Sequence, residues 1–234
     1  MDHDPPSVGS KTVGSLAIIR ATNPLVWGLP GNAARKLRGF AEVEAESVLE
    51  MRAAAALADD AKRRAMYLRH ALDEARHARI FSRAATELDG RASWVHPTSD
   101  DLFERLGEER FLAFVHRGER RGRIQFEAYR DHFAQRENER LQTVFEGVLD
   151  DERRHEAYTW SLLVEVAGDE ARARSALRWA ARWEAWRTWR RAGRLLSGVV
   201  YAVAMMAVYV AIAPLALVMR VVSPARVGWK GPPK

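Results

Sequence analysis

The chain has no cysteine among its 234 residues. This absence excludes structural disulfides, cysteine-ligated zinc, thiolate-held iron–sulfur clusters and a thiol nucleophile. Any metal ion must therefore be held by Asp, Glu or His. Residues 32–168 also contain very little proline or glycine and show no strand-like alternation. Because Ala, Leu, Glu and Arg, which favour helices, dominate there, we predict an all-α fold.

Acidic residues are scarce in the C-terminal part of the chain. Residues 169–234 contain 12 basic and 3 acidic side chains, a net charge of +9, while the formal net charge of the whole chain is +6. Residues 1–168 therefore carry a net charge of −3. A basic protein often binds nucleic acid, but here the larger part of the chain is mildly acidic. We predict no nucleic-acid partner.

The C-terminal part also holds a long segment without charge. Residues 195–219 form a run of 25 residues without Asp, Glu, Lys or Arg. As a helix at about 1.5 Å per residue, this run exceeds a hydrocarbon core of roughly 30 Å. We predict one transmembrane helix over residues 195–222, followed by a short basic tail over 223–234. A buried core helix is the alternative, but such helices rarely lack polar residues over this length.

Tryptophan and arginine recur at three- and four-residue steps just before this segment. This composition is typical of a helix at a membrane surface, so we predict an interfacial helix over residues 169–194 and a lipid bilayer as partner. Seven arginines between residues 174 and 194 precede the span, against four basic residues after it. This bias places the larger part of the chain in the cytoplasm.

The N-terminal residues 1–31 do not resemble a signal peptide. Acidic residues lie at their start, and no long apolar run follows a basic segment. We predict an irregular arm over residues 1–31 that becomes partly ordered near Trp27.

Four helices are predicted for residues 32–168. Asp59 and Asp60 mark a turn and supply an N-cap. Thr98 or Ser99 caps the third helix after a long connection, and Asn138 caps the fourth. The predicted helices are A over 32–57, B over 60–88, C over 100–134 and D over 139–167. Two tight hairpins joined by a longer crossover form the connectivity of a ferritin-like four-helix bundle.

Helices B and D contain the same pentamer, Asp-Glu-x-Arg-His. It occupies residues 73–77 and 151–155, 78 residues apart, and contains the only Glu-x-x-His sequences in the chain. The i, i+3 spacing puts each glutamate and histidine on one helix face, about one turn apart. Both side chains can then point at one metal centre.

Each pentamer has a glutamate at matching height on its partner helix. Glu44 and Glu74 lie at equal distance from the turn at residue 59, and Glu44 belongs to an apolar stripe of helix A. In the second hairpin, Glu119 matches Glu152 in the same way. Glu127 competes with Glu119, but charged residues surround Glu127 along the helix. We therefore predict six metal ligands: Glu44, Glu74, His77, Glu119, Glu152 and His155.

Burying four carboxylates at one level of a core would cost too much unless cations neutralised them. Metal ions are one source of such cations. The alternative is that these acids form ion pairs with nearby arginines, namely Arg76, Arg121, Arg123 and Arg154.

Further residues lie near the predicted ligands. His70 and Tyr67 precede Glu74 by one and two turns on the same stripe, and they are candidates for hydrogen bonds that orient a ligand. Gly118 and Gly122 predict room for a substrate beside helix C. We predict no catalytic residue beyond the metal ligands.

The arrangement of one Glu and one Glu-x-x-His in each half resembles the ferritin-like di-iron carboxylate superfamily. The resemblance covers residues 32–167, matches all six ligand positions, and is most similar to rubrerythrin-like proteins and demethoxyubiquinone hydroxylases. It implies two iron ions, or less often manganese, and an external electron donor. Rubrerythrins also carry a cysteine-bound iron domain, which this chain lacks, and the hydroxylases have no plain C-terminal span.

The resemblance implies an oxidoreductase that uses O₂ or peroxide, and the membrane helix suggests a lipid-soluble substrate. One alternative is a ferroxidase, or an iron-handling or peroxide-detoxifying protein, with the same ligands. A hydroxylase should have an apolar pocket beside the metals, whereas a ferroxidase should have an acidic entry path. A second alternative is a metal-free membrane scaffold.

Overall fold

A computed structural model describes residues 10–92 and 96–222, with side chains from residue 16 to residue 219. The described residues contain helices and no strand, which confirms the all-α prediction. The helices are α1 Ser10–Gly28, α2 Asn32–Leu57, α3 Ala61–Asp89, α4 Leu102–Leu106, α5 Glu108–Ala134, α6 Glu139–Ala167 and α7 Glu170–Val222. The predicted basic tail, residues 223–234, lies outside the described part of the chain.

The first helical hairpin is formed by α2 and α3. The side chain of Asp60 accepts a hydrogen bond of 2.8 Å from the backbone N–H of Arg63 and so caps α3, as the sequence predicts. Gly90 ends α3 in a left-handed conformation with φ of 71°. The bounds of α2 and α3 agree with predicted helices A and B to within one residue.

The second hairpin is formed by α5 and α6. Asn138 accepts a hydrogen bond of 3.1 Å from the backbone N–H of Leu141 and caps α6 as predicted. Gly168 ends α6 with φ of 88°, a value that glycine adopts without the strain of a Cβ. The predicted helix D over residues 139–167 is confirmed.

Predicted helix C begins in the wrong place. Residues 102–106 form the separate helix α4 after Asp101, and neither Thr98 nor Ser99 is its N-cap. Gly107, with φ of 74° and ψ of 160°, interrupts the chain before α5 starts at Glu108. Glu50 of α2 accepts hydrogen bonds from the Ser99 hydroxyl and from the backbone N–H groups of residues 100 and 102. These contacts hold the start of α4 against the first hairpin.

The irregular N-terminal arm is also a wrong prediction where the structure describes it, because residues 10–28 form α1. The Trp27 ring packs edge-on against Tyr129 and Phe133, with centroid distances of 5.0 Å and 4.9 Å. The Asn23 amide donates a 3.2 Å hydrogen bond to the Ala128 carbonyl. These contacts with α5 stabilise α1, and their long sequence separation hides them from local pattern analysis.

An apolar core joins α1 to helices α2, α3, α5 and α6. Its centre is a group of aromatic rings 5 to 6 Å apart, contributed by Phe40, Phe81, Phe126, Tyr129, Phe133 and Phe145. A second apolar layer, which includes Met51, Tyr67 and Phe111, is fully buried at the opposite end of the hairpins. The predicted ligand positions lie at the level between these two layers.

Helix α7 differs from its prediction, because residues 170–222 form one helix rather than an interfacial helix followed by a separate span. Between Gly168 and Pro214 only two glycines weaken the helical pattern, so nothing in the sequence forces a break. The chain divides into two units, Met1–Ala181 and Arg182–Lys234. The boundary therefore lies within α7 and not at residue 168.

The first unit includes the start of α7. Ala173, Ala176 and Ala180 are buried there, and the Arg110 guanidinium lies 4.7 Å from the centre of the Trp179 ring. In the second unit, Arg187 and Arg190 lie over tryptophan rings one turn before them, at 4.8 Å and 4.7 Å.

Within the described residues, one helix is long and apolar enough to cross a membrane. It covers Glu170–Met219, and its most apolar stretch of 18 residues has a mean hydropathy of 2.4 and no buried residue. This agrees with the predicted span in length and composition.

Candidate metal centre

Helices α2, α3, α5 and α6 bring all six predicted ligands to one buried cluster. The Nδ1 atom of His77 lies 3.7 Å from Glu74 Oε2 and 3.5 Å from Glu152 Oε1. The Nδ1 atom of His155 lies 3.2 Å from Glu74 Oε1 and 3.4 Å from Glu119 Oε2. Each of these residues is at most 9% exposed.

The cluster contains two groups of potential ligand atoms that share Glu74. One atom each from Glu44, Glu74 and His77 lie within 4.8 Å of one another. The same limit encloses one atom each from Glu74, Glu119 and His155, together with His70. Glu152 completes the first group through its contact with His77.

His70 takes a larger part in the cluster than the sequence predicts. Its Nε2 atom lies 2.7 Å from Glu74 Oε1 and 3.4 Å from Glu119 Oε1. Its ring lies 3.8 Å from the ring of His155. His70 therefore contacts the carboxylate of the predicted ligand Glu74, and its position also allows it to be a ligand itself. The i, i+4 spacing to Glu74 was the sequence signal for this.

The other orienting candidate, Tyr67, faces a different partner. Its hydroxyl donates a 2.8 Å hydrogen bond to Oε1 of Glu108, which lies outside the cluster. The hydroxyl of Tyr158 lies against Nδ1 of His70, a contact that was not predicted. No local pattern marks Tyr158, because its contact depends on how α6 approaches α3.

The aspartates of the two pentamers hold the histidines of the opposite pentamer. Asp151 Oδ2 lies 3.1 Å from Nε2 of His77, and Asp73 Oδ2 lies 3.2 Å from Nε2 of His155. Each histidine therefore turns its Nδ1 atom into the cluster. A carboxylate behind a metal-binding histidine fixes the ring and its tautomer. The repetition of the aspartate in both pentamers was the sequence signal for this function.

The repeated arginines bind these same aspartates. Arg76 pairs with Asp151, and Arg154 pairs with Asp151 and lies 3.3 Å from Asp73. Arg123 pairs with Glu156, and its guanidinium is also 3.0 Å from Glu127. These ion pairs go to carboxylates other than the six predicted ligands, which does not support the ion-pair alternative for Arg76, Arg123 and Arg154.

The carboxyl groups of the cluster differ in how burial and their neighbours shift their pKa values. Burial and the neighbouring Glu74 carboxylate raise the pKa of Glu44 well above its usual value. Burial, with the charges of Glu119 and Glu74, raises the pKa of Glu152 as well. Burial and like charge therefore favour the protonated form of these two carboxyl groups.

The other two carboxyl groups keep their charge. Burial opposes this, but contacts with Glu44 and with histidines lower the pKa of Glu74 well below its usual value. Histidine contacts likewise outweigh burial and lower the pKa of Glu119. Burial would lower the pKa of His155, but Glu119 and Glu74 raise it to about 11, and they raise the pKa of His70 too. The charged forms of Glu74 and Glu119 therefore stabilise the charged forms of His155 and His70.

The donor set fits two divalent cations. Four ionised carboxylates carry four negative charges, which two divalent ions would neutralise once the protons leave. Glu74 Oε2 and the Nδ1 atoms of His77 and His155 are buried and have no hydrogen bond of normal geometry. Leaving such atoms unsatisfied costs about 1–3 kcal/mol each, and two cations, one at each histidine, would satisfy all three.

Gly122 makes room for the Glu152 carboxylate rather than for a substrate. A Cβ atom at this position would lie 2.9 Å from Glu152 Oε2, so the space beside Gly122 holds the Glu152 carboxylate. The predicted substrate room beside helix C is therefore wrong at Gly122. Instead, a cavity of about 490 Å³ lies between α3 and α6 and reaches the cluster at His70 and His155.

No protein-family model, curated protein or solved structure matches this chain. The function of the site is therefore inferred from its own geometry and chemistry.

Proposed function

We propose that residues 32–167 form a ferritin-like bundle with two metal ions, and that the chain is a membrane-anchored oxidoreductase using O₂ or peroxide. The observation that carries this proposal is the meeting of both Glu-x-x-His sequences and both partner glutamates in one buried cluster, with ligand atoms left without hydrogen bonds. Iron is the metal we propose, with manganese as the alternative that the same oxygen and nitrogen donors accept.

Two sets of side chains would hold the metals. Glu44, Glu74, His77 and Glu152 form one set, and Glu74, Glu119, His155 and His70 form the other. When bound, a reduced iron pair supplies the electrons that activate O₂ or peroxide, and an external donor restores them.

The protein's own residues orient and enclose the centre. Asp73 and Asp151 keep the Nδ1 atoms of the opposite histidines turned inward. The apolar layers on both sides exclude water, which strengthens electrostatic contacts inside the cluster. The cavity between α3 and α6 gives a substrate access to one face of the cluster.

The charges along this cavity favour an oxidoreductase over an iron-handling protein. Lys62, Arg69 and Arg154 line it, against Asp73 and Glu165. An entry path for Fe²⁺ should be acidic, because an excess of cations repels the ion. The cavity is instead slightly basic and partly apolar, which is the lining expected for an organic substrate.

Metal stoichiometry tests the proposal. The full chain in lipid nanodiscs should bind about two Fe²⁺ ions under anaerobic conditions and should consume O₂ on exposure to air. Glu44→Gln should weaken iron binding, because it removes a ligand with little change in shape. Glu42→Gln is the matched control, since Glu42 lies on the same helix but is exposed.

Two outcomes would overturn the proposal. One is an iron content near zero in a folded chain. The other is iron binding that is equally strong in the Glu44→Gln and Glu42→Gln variants, because the ions would then be bound elsewhere. The second outcome excludes the assigned ligands even if the stoichiometry is two.

A further inference from the structure

The two sets of candidate ligands differ in their donor atoms. The first set offers three carboxylates and one imidazole, from Glu44, Glu74, Glu152 and His77. The second set offers two carboxylates and two imidazoles, from Glu74, Glu119, His70 and His155. Because Glu74 belongs to both sets, the first has two carboxylates of its own and the second has one. A neutral imidazole brings no negative charge, so a divalent ion in the second set would keep more of its positive charge.

His70 is held in the same way as the histidines of the two pentamers. Its Nε2 atom lies 2.7 Å from Glu74 Oε1 and 3.4 Å from Glu119 Oε1, while its Nδ1 atom contacts the Tyr158 hydroxyl. The pentamer histidines likewise turn one ring nitrogen inward and the other towards an aspartate. A hydroxyl oxygen can accept a hydrogen bond, so Tyr158 can satisfy the Nδ1–H group of His70 when Nε2 is a metal ligand. His70 therefore has the geometry of a ligand.

The cavity between α3 and α6 is a groove that meets only the second set. Its lining includes His70 and His155, which are 1% and 2% exposed, and the partly buried Tyr158 beside them. The lining includes no residue that belongs to the first set alone. Because the two histidines are nearly enclosed at the bottom of the groove, a small ligand can approach an ion held there more easily than a bulky one.

We propose that the candidate centre has two unequal metal sites, and that a small anion such as azide binds only the ion of the second set, at the bottom of the groove. The inference rests on the proposed function, because it names the position at which that centre takes an external ligand. Charge and access indicate the same position. The second set has fewer carboxylates of its own, and it is the set that the groove reaches.

Cobalt makes the two sites visible, because the absorption bands of Co²⁺ respond to its ligands. The full chain in lipid nanodiscs should bind about two Co²⁺ ions, and azide should change the bands of one of them. His70→Gln should lower the affinity for one ion at least about tenfold and abolish the azide response, because the second set loses a ligand. His96→Gln is the matched control, since His96 is exposed and lies outside both sets, and it should change neither.

Three further variants complete the design. His77→Gln should weaken binding of the other ion and leave the azide response intact. Ala157→Trp should fill the groove beside Tyr158 and lower azide affinity at least about fivefold, while both Co²⁺ ions stay bound. Ala56→Trp is its control, because Ala56 is exposed on α2 and does not line the groove. Circular dichroism checks that each variant keeps its helices.

The outcomes separate this inference from the proposed function. The inference is overturned if azide leaves the cobalt bands of the unmodified chain unchanged, or if the azide response is the same in the His70→Gln and His96→Gln variants. Loss of the response in His77→Gln, or equal azide affinity of the two tryptophan variants, also overturns it. Any of these results in a chain that binds two Co²⁺ ions refutes the inequality of the sites alone. A folded chain that binds no Co²⁺ refutes the metal centre, and this inference with it.

Discussion

At the scale of single residues, the two pentamer aspartates offer the sharpest test of how the cluster is built. Asp151 faces His77 with one oxygen at 3.1 Å, and the neighbouring Asp150 is exposed and pairs with Arg153. Asp151→Asn should lower metal affinity about 10- to 100-fold, because the imidazole loses the carboxylate that orients it. Asp150→Asn, one residue away, should have no effect.

Metal titrations of the two variants measure this difference. Circular dichroism distinguishes a change at the site from a loss of folding. If the two aspartate variants bound metal equally well, the cross-hairpin contact would have no function in metal binding.

The raised pKa values in the cluster predict how metal affinity depends on pH. The pKa of His155 is raised to about 11, and the pKa values of His70, Glu44 and Glu152 are raised as well. Below these pKa values the groups hold protons that a metal must displace, so affinity should rise with pH between 6 and 8, by at least about tenfold per unit. Calorimetry in buffers of different ionisation enthalpy should detect proton release. Affinity that stays constant over this range would contradict the prediction.

Two glycines of α5 form a matched pair for testing the Glu152 position. Gly122→Ala places a Cβ atom 2.9 Å from Glu152 Oε2, whereas Gly118→Ala meets nothing within 4 Å. The carboxylate is the end of a flexible side chain, so it can move and the fold should persist. Gly122→Ala should therefore reduce metal affinity, while Gly118→Ala should only stabilise the helix by about 0.5–1 kcal/mol. Metal titration and thermal unfolding of both variants measure these effects. Equal metal affinities would show that metal binding does not depend on the space that Gly122 leaves for the Glu152 carboxylate.

At the scale of secondary structure, the features that depend on residues close together in the chain could be predicted from the sequence. The α2–α3 turn and the start of α6 follow from Asp60 and Asn138, whose side chains cap the next helix. The meeting of the six predicted ligand residues in one cluster follows because a repeated i, i+3 pair and the symmetry of a hairpin fix height and face together. The break at Gly107 could not be predicted, since glycine tolerates both a helical and a positive φ.

Contacts between distant segments could not be predicted either. The α1 helix depends on Trp27 packing against α5, about 100 residues later. Tyr158 and the groove depend on how α3 and α6 approach each other, which no single helix pattern encodes.

The contribution of α1 can be measured with one tryptophan. Trp27 is buried against Tyr129, Phe133 and Phe145, and Trp27→Ala should lower the free energy of unfolding by about 3–5 kcal/mol through lost burial and a cavity. Leu25→Ala is the control, because Leu25 is 64% exposed. Chemical denaturation measures both. Equal stabilities would mean that α1 does not pack on the first unit in solution.

At the scale of the whole molecule, charge and hydropathy separate the two units. The second unit holds the uncharged segment and has a net charge of +8, while the first unit, residues 1–181, has a net charge of −2. We propose that α7 crosses the bilayer once with the first unit in the cytoplasm. Anionic lipid should then attract the arginines next to the span and leave the first unit in solution. A reporter fused to the C-terminus should be found outside the cytoplasm, and a cytoplasmic reporter would contradict this orientation.

The position of the unit boundary predicts where the chain can be cut. Truncation after Ala181 removes the apolar segment but keeps the buried alanines at 173, 176 and 180, so this product should be soluble and should still bind metal. Truncation after Gly168 also removes those alanines and uncovers their packing partners. At about 0.8 kcal/mol per buried methylene-sized group, its free energy of unfolding should be lower by about 2–3 kcal/mol. Denaturation curves of the two products measure this difference. Equal stability would place the boundary at residue 168, and recovery of the Ala181 product in the membrane fraction would show that the first unit itself binds lipid.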